Sequence, residues 1–245
     1  MLVGKAMRQI HQEKNSGTGA VLSEVILGGQ DGLVNTLGVI LGLAAASADL
    51  RLIVAGGLAG AIAEAVSMGA VGYTSKVAER DYYLGELEHE RLEVENTPEE
   101  EIEEVRQIYA KKGFKGPLLE QMVDVITSDK ELWLETMMRE ELNLAPIDGK
   151  NPLNSALLIG GTSFLGAAIP LLPFAAFYFL GLQFTGLIGW AILLALVVSA
   201  LTLFVAGAIK AKLTIGKWYR SGVQMLLIGI LSALAGYAIG SIFSV

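Results

Sequence analysis

The sequence predicts an all-α membrane protein of five transmembrane helices, with a water-exposed helical domain inserted between the second and third. Three observations carry that reading. First, 53% of the 245 residues are hydrophobic, whereas soluble domains sit nearer 45–50%. Second, charge is segregated. Residues 76–150 hold 20 acids and 10 bases, a net −10 in a chain whose total is −7. Third, five stretches reach the roughly 20 apolar residues needed to cross a ~30 Å hydrocarbon core.

Those stretches run approximately Ala20–Ala46, Leu52–Lys76, Leu153–Leu180, Thr185–Ile209 and Val223–Val245. The last three contain no Asp or Glu, so as soluble helices they would have no acidic face to turn to water. The chain divides into an N-terminal tail (1–19), the first membrane pair (20–76), the acidic insert (77–150) and the last three helices (151–245). The tail is polar and carries Lys5, Arg8 and Lys14. It lacks a signal peptide's apolar core and cleavage site, so the mature chain is expected to begin at Met1.

Lysine and arginine set the orientation. Of 18 basic residues, only Arg51 falls on the side opposite the tail, the insert and the connection holding Lys210, Lys212, Lys217 and Arg220. The positive-inside rule places that rich side in the cytosol, with the N-terminus inside and the C-terminus outside. Gly56, Gly60, Glu64, Met68 and Gly72 recur every four residues on the second helix and form a small-residue stripe that lets helices approach closely. Pro170 and Pro173 are expected to kink or break the third helix.

The insert reads as helices rather than a disordered acidic tract. Ile102, Val105, Ile108 and Tyr109, then Leu132, Leu134, Met138 and Leu142, recur at helical spacing. The second membrane helix is expected to continue to about Glu95. Thr97-Pro98-Glu99-Glu100 and Ser128-Asp129-Lys130-Glu131 have the form of capping boxes. They start helices that end near Gly113 and Leu144, with a short helix over Pro117–Ile126 between them. Pro146 and Asp148-Gly149 close the insert.

Several chemistries are excluded or unsupported. There is no cysteine, which removes disulfides and thiolate sites. No Walker-type phosphate loop is present, nor any Ser–His–Asp pattern, and nothing suggests nucleic-acid binding. Glu86-Leu87-Glu88-His89 matches one Glu-x-x-His element of a di-iron bundle, but such bundles use two. The only other histidine, His11, has no matching acid. The chain is therefore not expected to be an enzyme.

Two groups of residues suit cations. In the insert, Glu90/Glu93 and Glu101/Glu104 are like-charged pairs three residues apart, and Met137, Met138 and Glu141 lie together on the last helix. A cation between the helices would offset the repulsion. Oxygen donors with a thioether favour Mn²⁺ or Fe²⁺ over Mg²⁺ or Ca²⁺. A solvated acidic face with two core methionines explains the same pattern, and the residues alone leave both open. In the membrane, Asp31 lies mid-helix with Asn35 one turn on and Glu24 two turns back, while Glu64 and Met68 are one turn apart. An acid at that depth costs ~2.5–3.5 kcal/mol and usually faces a polar path. Hydrogen-bonded helix glue is the alternative.

The first-helix run GGQDGLVNTLGVILGLAAA, the second-helix run AIAEAVSMGAVGYTSK, and the insert with its Glu pairs and MMREE resemble the vacuolar iron transporter family. The likeness extends from about Leu22 through the rest of the chain. It implies a homodimer in the lipid bilayer that exchanges divalent iron or manganese for protons and moves metal out of the cytosol, with Zn²⁺ or Co²⁺ as substitutes in vitro. It implies that Asp31 and Met68 bind metal in the translocation path. It also implies that Glu90, Glu93, Glu101, Glu104, Met137, Met138 and Glu141 form a cytosolic metal-binding domain. Glu64 and Asn35 are assigned to the path and to proton coupling on chemical grounds. A membrane-anchored divalent-metal sensor or storage module is the competing expectation. The compact chain leans towards a prokaryotic cell membrane over a vacuolar one.

Overall fold

The computed structural model describes residues 16–146, 151–182, 186–214 and 216–243. The N-terminal segment with His11, the Asp148-Gly149 turn with Lys150, and the expected helix limits Thr185 and Val245 lie outside them. The described residues form eight helices: α1 (Ser16–Ala46), α2 (Leu50–Asn96), α3 (Pro98–Lys111), α4 (Pro117–Thr127), α5 (Lys130–Glu140), α6 (Pro152–Phe179), α7 (Leu187–Leu213) and α8 (Trp218–Ile242). Five of them, α1, α2, α6, α7 and α8, are long and apolar enough to cross a membrane. The chain divides into two compact units. One comprises the residues up to Tyr73 together with those from Pro152, and the other is Thr74–Asn151.

In the first unit α1 is the central helix, packed against α6, α7 and α8. The helices meet almost backbone to backbone. A Cβ placed on Gly236 or Gly240 of α8 would stand 2.0 Å from the carbonyl oxygen of Gly38 or Gly42 on α1. One on Gly166 of α6 would stand 2.1 Å from the Gly29 oxygen. Van der Waals packing drives association where lipid removes the hydrophobic force, and only small residues permit this approach. The stripe on α2 meets side-chain ends instead: a Cβ on Gly56 would meet Leu43 Cδ1 at 2.6 Å, and one on Gly72 would meet Ile159 Cδ1 at 2.9 Å, with the Ser155 carbonyl oxygen further off at 3.2 Å.

Three expectations need correction here. Pro170 and Pro173 do not break the third membrane helix, since α6 runs through both. Neighbouring helices in a membrane bundle supply what an interrupted backbone lacks, and Pro170 is buried among them. α7 begins at Leu187 and carries on past Ile209 to Leu213, holding Lys210 and Lys212 in its last turn, where cations complement the helix dipole. α8 starts at Trp218, about a turn before the apolar run.

In the second unit the far part of α2 and helices α3–α5 enclose Val94, Val105, Leu119, Val123, Ile126, Trp133 and Met137. Pro98 opens α3 in the first turn, and Glu99, Glu100 and Glu101 face its positive end. The capping boxes are not made as read. The Thr97 hydroxyl donates back to the Glu93 carbonyl. The second cap shifts by one residue, to Asp129, whose carboxylate accepts from the Glu131 and Leu132 amides, while Ser128 donates to the Val125 carbonyl. Gly113 closes α3 at φ 103°, a left-handed geometry that favours glycine. α5 stops at Glu140, four residues before the expected Leu144. Asn143 turns left-handed at φ 55°, and the Leu144 amide folds back to the Met138 carbonyl at 2.8 Å. The inward face of α5 also differs, with Trp133, Thr136, Met137 and Met138 buried and Leu132 exposed.

Candidate metal sites

In the membrane-spanning unit, α1 and α2 pack where Gly57 admits Ile40. Just along from that contact three polar side chains meet. Asn35 Nδ2 donates to Glu64 Oε1 at 2.9 Å. Asp31, one turn back on α1, lies within hydrogen-bonding reach of both Glu64 and Asn35. Helical spacing produces the group: Asp31 and Asn35 are i and i+4 on one face, and the stripe on α2 turns Glu64 towards them. Met68, half-buried, follows one turn along that stripe and is set beside the group by helix spacing alone. Two carboxyls and an amide in contact offer oxygen donors that suit a divalent cation or a proton.

The group has access. Asn35 and Glu64 line an open groove of about 690 Å³ between α1, α2 and α8, otherwise walled by small and apolar residues such as Gly38, Val39, Gly42, Ala235 and Ile239. Ser232 stands on the α8 wall, its hydroxyl donating to the Val34 carbonyl at 2.9 Å. Glu24 is set apart from the group. It accepts from Ser155 at 2.8 Å, tying α1 to α6.

The acidic unit presents a second group. Glu90 on α2 and Glu101 on α3 are only 3% and 4% exposed, although carboxylates are almost never buried unless paired. Each leaves its Oε2 buried with no hydrogen-bond partner. Burial pushes both carboxyls up to about 7 from an ordinary 4.5, and neighbouring acids add to it. For Glu90 those neighbours are Glu141, Glu93, Glu104 and Glu86; for Glu101 they are Glu104, Glu90, Glu93 and Glu141. Glu141, just past α5, is raised by burial and by the charge and hydrogen bond of Glu104. The three helices thus bring all five predicted carboxylates into one field.

The Lys and Arg ion pairs of this unit's described residues are made with other acids. Arg106 pairs with Glu103 and Glu120, Lys112 with Glu140, Lys130 with Glu95, and Arg139 with Glu135. Among the described residues no Lys or Arg pairs with Glu90, Glu101, Glu104 or Glu141, while Glu93 meets His89 at 3.3 Å. Met137 and Met138 are both buried, Met137 within the apolar cluster of Val94, Val105 and Trp133. The five carboxylates converge without closing: among the described residues no three acids or histidines are set so as to hold one metal ion. Two members of this neighbourhood were not predicted. Glu86 adds its charge at Glu90, as its i, i+4 spacing could have signalled, and His89 partners Glu93 rather than completing a di-iron element.

A family model described as the VIT family matches residues 22–241. Among curated proteins, the chain is 33% identical to "Vacuolar iron transporter 1" of Oryza sativa subsp. japonica, an alignment covering 93% of this chain and 87% of the relative. It is 31% identical to "Vacuolar iron transporter 1" of Arabidopsis thaliana, over 95% of this chain and 90% of that one. It is 32% identical to "Vacuolar iron transporter" of Toxoplasma gondii, over 95% and 78% respectively.

Proposed function

We propose a function from the premise that this chain belongs to the VIT family: it transports divalent iron, and manganese with it, out of the cytosol across a membrane in exchange for protons. Its relatives are named as iron transporters, and five of its helices are long and apolar enough to cross a bilayer. The observation that carries the reading is the contact of Asp31, Asn35 and Glu64 between α1 and α2, open to a groove. A plain anchor has no use for acids at that depth, where each costs ~2.5–3.5 kcal/mol.

The coupling follows from the donors. A carboxylate binds a metal ion only when deprotonated, so metal and proton compete for the same oxygens. Asp31 and Met68 hold the ion, and the Met68 thioether biases the site towards softer transition metals. Glu64 takes the proton, and Asn35 positions it. In the acidic unit, Glu90, Glu93, Glu101, Glu104 and Glu141, with Met137 and Met138, collect cations, because a concentrated negative field raises their local concentration. The gathering of lysine and arginine on that unit's side of the membrane helices supports a cytosolic position for it. Two copies pair in the membrane.

Uptake of Fe²⁺ and Mn²⁺ into proteoliposomes under an imposed pH gradient tests this, comparing the wild type with Asp31→Ala. Gradient-driven flux that the variant loses is expected; equal flux in both would remove Asp31 from the path. A second reading, a membrane-anchored metal sensor or storage module, draws on the compactness of the Thr74–Asn151 unit. It would be favoured by tight Mn²⁺ binding with no flux in the wild type.

A further inference from the structure

A crevice of about 350 Å³ lies among α1, α6, α7 and α8, apart from the groove that Asn35 and Glu64 line. Its walls are almost wholly apolar, with Leu22, Leu33, Ile169 and Leu203 among them. Gln30 on α1 and Lys210 on α7 are its other polar lining residues, while Thr162 and Thr202 turn their hydroxyls back onto the Leu158 and Val198 carbonyls. Water would therefore find few partners there.

Its length and its charge identify an occupant. From Leu22 to Leu33 along α1 the crevice extends ~16 Å at 1.5 Å per residue, about half of the ~30 Å hydrocarbon core, which is the depth of one leaflet. The antiparallel course of α7 puts Thr202 at the end where Leu33 lies and Lys210 at the end where Leu22 lies. Lys210 lines the mouth and stands in the last turn of α7 with Lys212; Lys217 and Arg220 follow at the start of α8. Among the described residues none of these four bases is in an ion pair with an acid. Basic pockets between transmembrane helices recognise acidic headgroups.

We propose that this crevice holds an acyl chain of an anionic phospholipid, with Lys210 engaging the headgroup phosphate. The lipid fills the gap between α1 and α7 and secures the α7–α8 pair against the central helix.

The test is native mass spectrometry of the full chain, reconstituted in nanodiscs of equal phosphatidylglycerol and phosphatidylcholine and then extracted into mild detergent. The expected result is one retained phospholipid per chain, with phosphatidylglycerol preferred about fivefold, the discrimination one basic side chain gives at an anionic surface. Lys210→Gln, at an exposed helix end, should keep the lipid and lose the preference. Ala206→Phe, which fills the crevice, should lose the lipid. An even lipid ratio in the wild type, or retention undiminished by Ala206→Phe, would overturn the proposal. So would cross-linking from Lys210 to a second copy of the chain, which would make the crevice a protein interface.

Discussion

Asn35 and Glu64 join the first two membrane helices through a 2.9 Å hydrogen bond from the amide nitrogen to a carboxyl oxygen. The bond orients the one acid of the α2 stripe towards Asp31 and leaves both partners on an open groove. If Glu64 is the proton carrier, Glu64→Gln should keep the bond, because the glutamine oxygen still accepts, while removing the titrating group. Flux of Mn²⁺ down its own gradient is then expected to persist while the response to an imposed pH gradient disappears. Unfolding temperature should stay near wild type, since an isosteric change away from a packing defect costs little. A normal pH response in Glu64→Gln proteoliposomes would assign the proton to another group.

The acidic unit should bind metal in a pH-dependent way near neutrality. Glu90 and Glu101 stand at about 7 against an ordinary 4.5. Binding requires the deprotonated forms, so affinity should rise between pH 6 and pH 8 by roughly tenfold for each carboxylate engaged. Stability runs the other way. A carboxyl raised in the folded state imposes no penalty below 4.5, and its penalty grows as pH rises from there to about 7. The metal-free protein should thus be more stable near pH 5 than near pH 8, with Mn²⁺ offsetting the loss. Calorimetric titration of the full chain with Mn²⁺, alongside Glu101→Gln to separate this unit from the membrane group, checks the first trend, and thermal unfolding at pH 5 and pH 8 with and without Mn²⁺ checks the second. Affinity that does not change with pH would sink the assignment.

The closeness of α1 and α8 makes a different demand. A Cβ on Gly236 would fall 2.0 Å from the Gly38 oxygen, and that oxygen belongs to the backbone and cannot move aside. Gly236→Ala should force the helices apart and cost ~1–3 kcal/mol. Gly189→Ala, with nothing within 4 Å, should be neutral or slightly stabilising, because alanine is the better helix former. Thermal unfolding in detergent distinguishes the two, and equal melting temperatures would mean the contact is looser than the backbone geometry requires.

Much of this was legible because charge in an apolar run is conspicuous. Asp31, Asn35 and Glu64 stand out against their neighbours, and helical periodicity put Asp31 with Asn35 on one stripe and Glu64 on another, while the fold made the two stripes meet. The Glu pairs of the insert were legible only as like charges three residues apart, which left a metal group and a solvated acidic face both open. What sequence could not resolve was competition between near-equal local bonds. Thr97 had a choice between capping its own helix and bonding the preceding Glu93 carbonyl, and it took the latter. Ser128 likewise lost the cap to Asp129. The inward register of α5 turned on whether Leu132 or Trp133 faced the core, and Trp133 entered, with the larger apolar area to bury. Pro170 could be judged only once its neighbours were known.

Met68 supplies the last prediction, because its thioether and its shape are separable. Leucine has nearly the same volume and no sulfur, and a swap of this kind costs under ~1.5 kcal/mol in a packed site. Met68→Leu should therefore insert and fold normally. If the sulfur binds the ion, flux of Fe²⁺ and Mn²⁺ should fall at least ~10-fold, a loss equivalent to about 1.4 kcal/mol of site affinity. The effect should be larger for Fe²⁺ than for Mn²⁺, the harder ion of the two, which relies more on the Asp31 oxygens. Parallel flux measurements with both ions test the point. A variant that transports both at wild-type rates would make Met68 a packing residue of the α2 stripe, and the ion would then be held by oxygen alone.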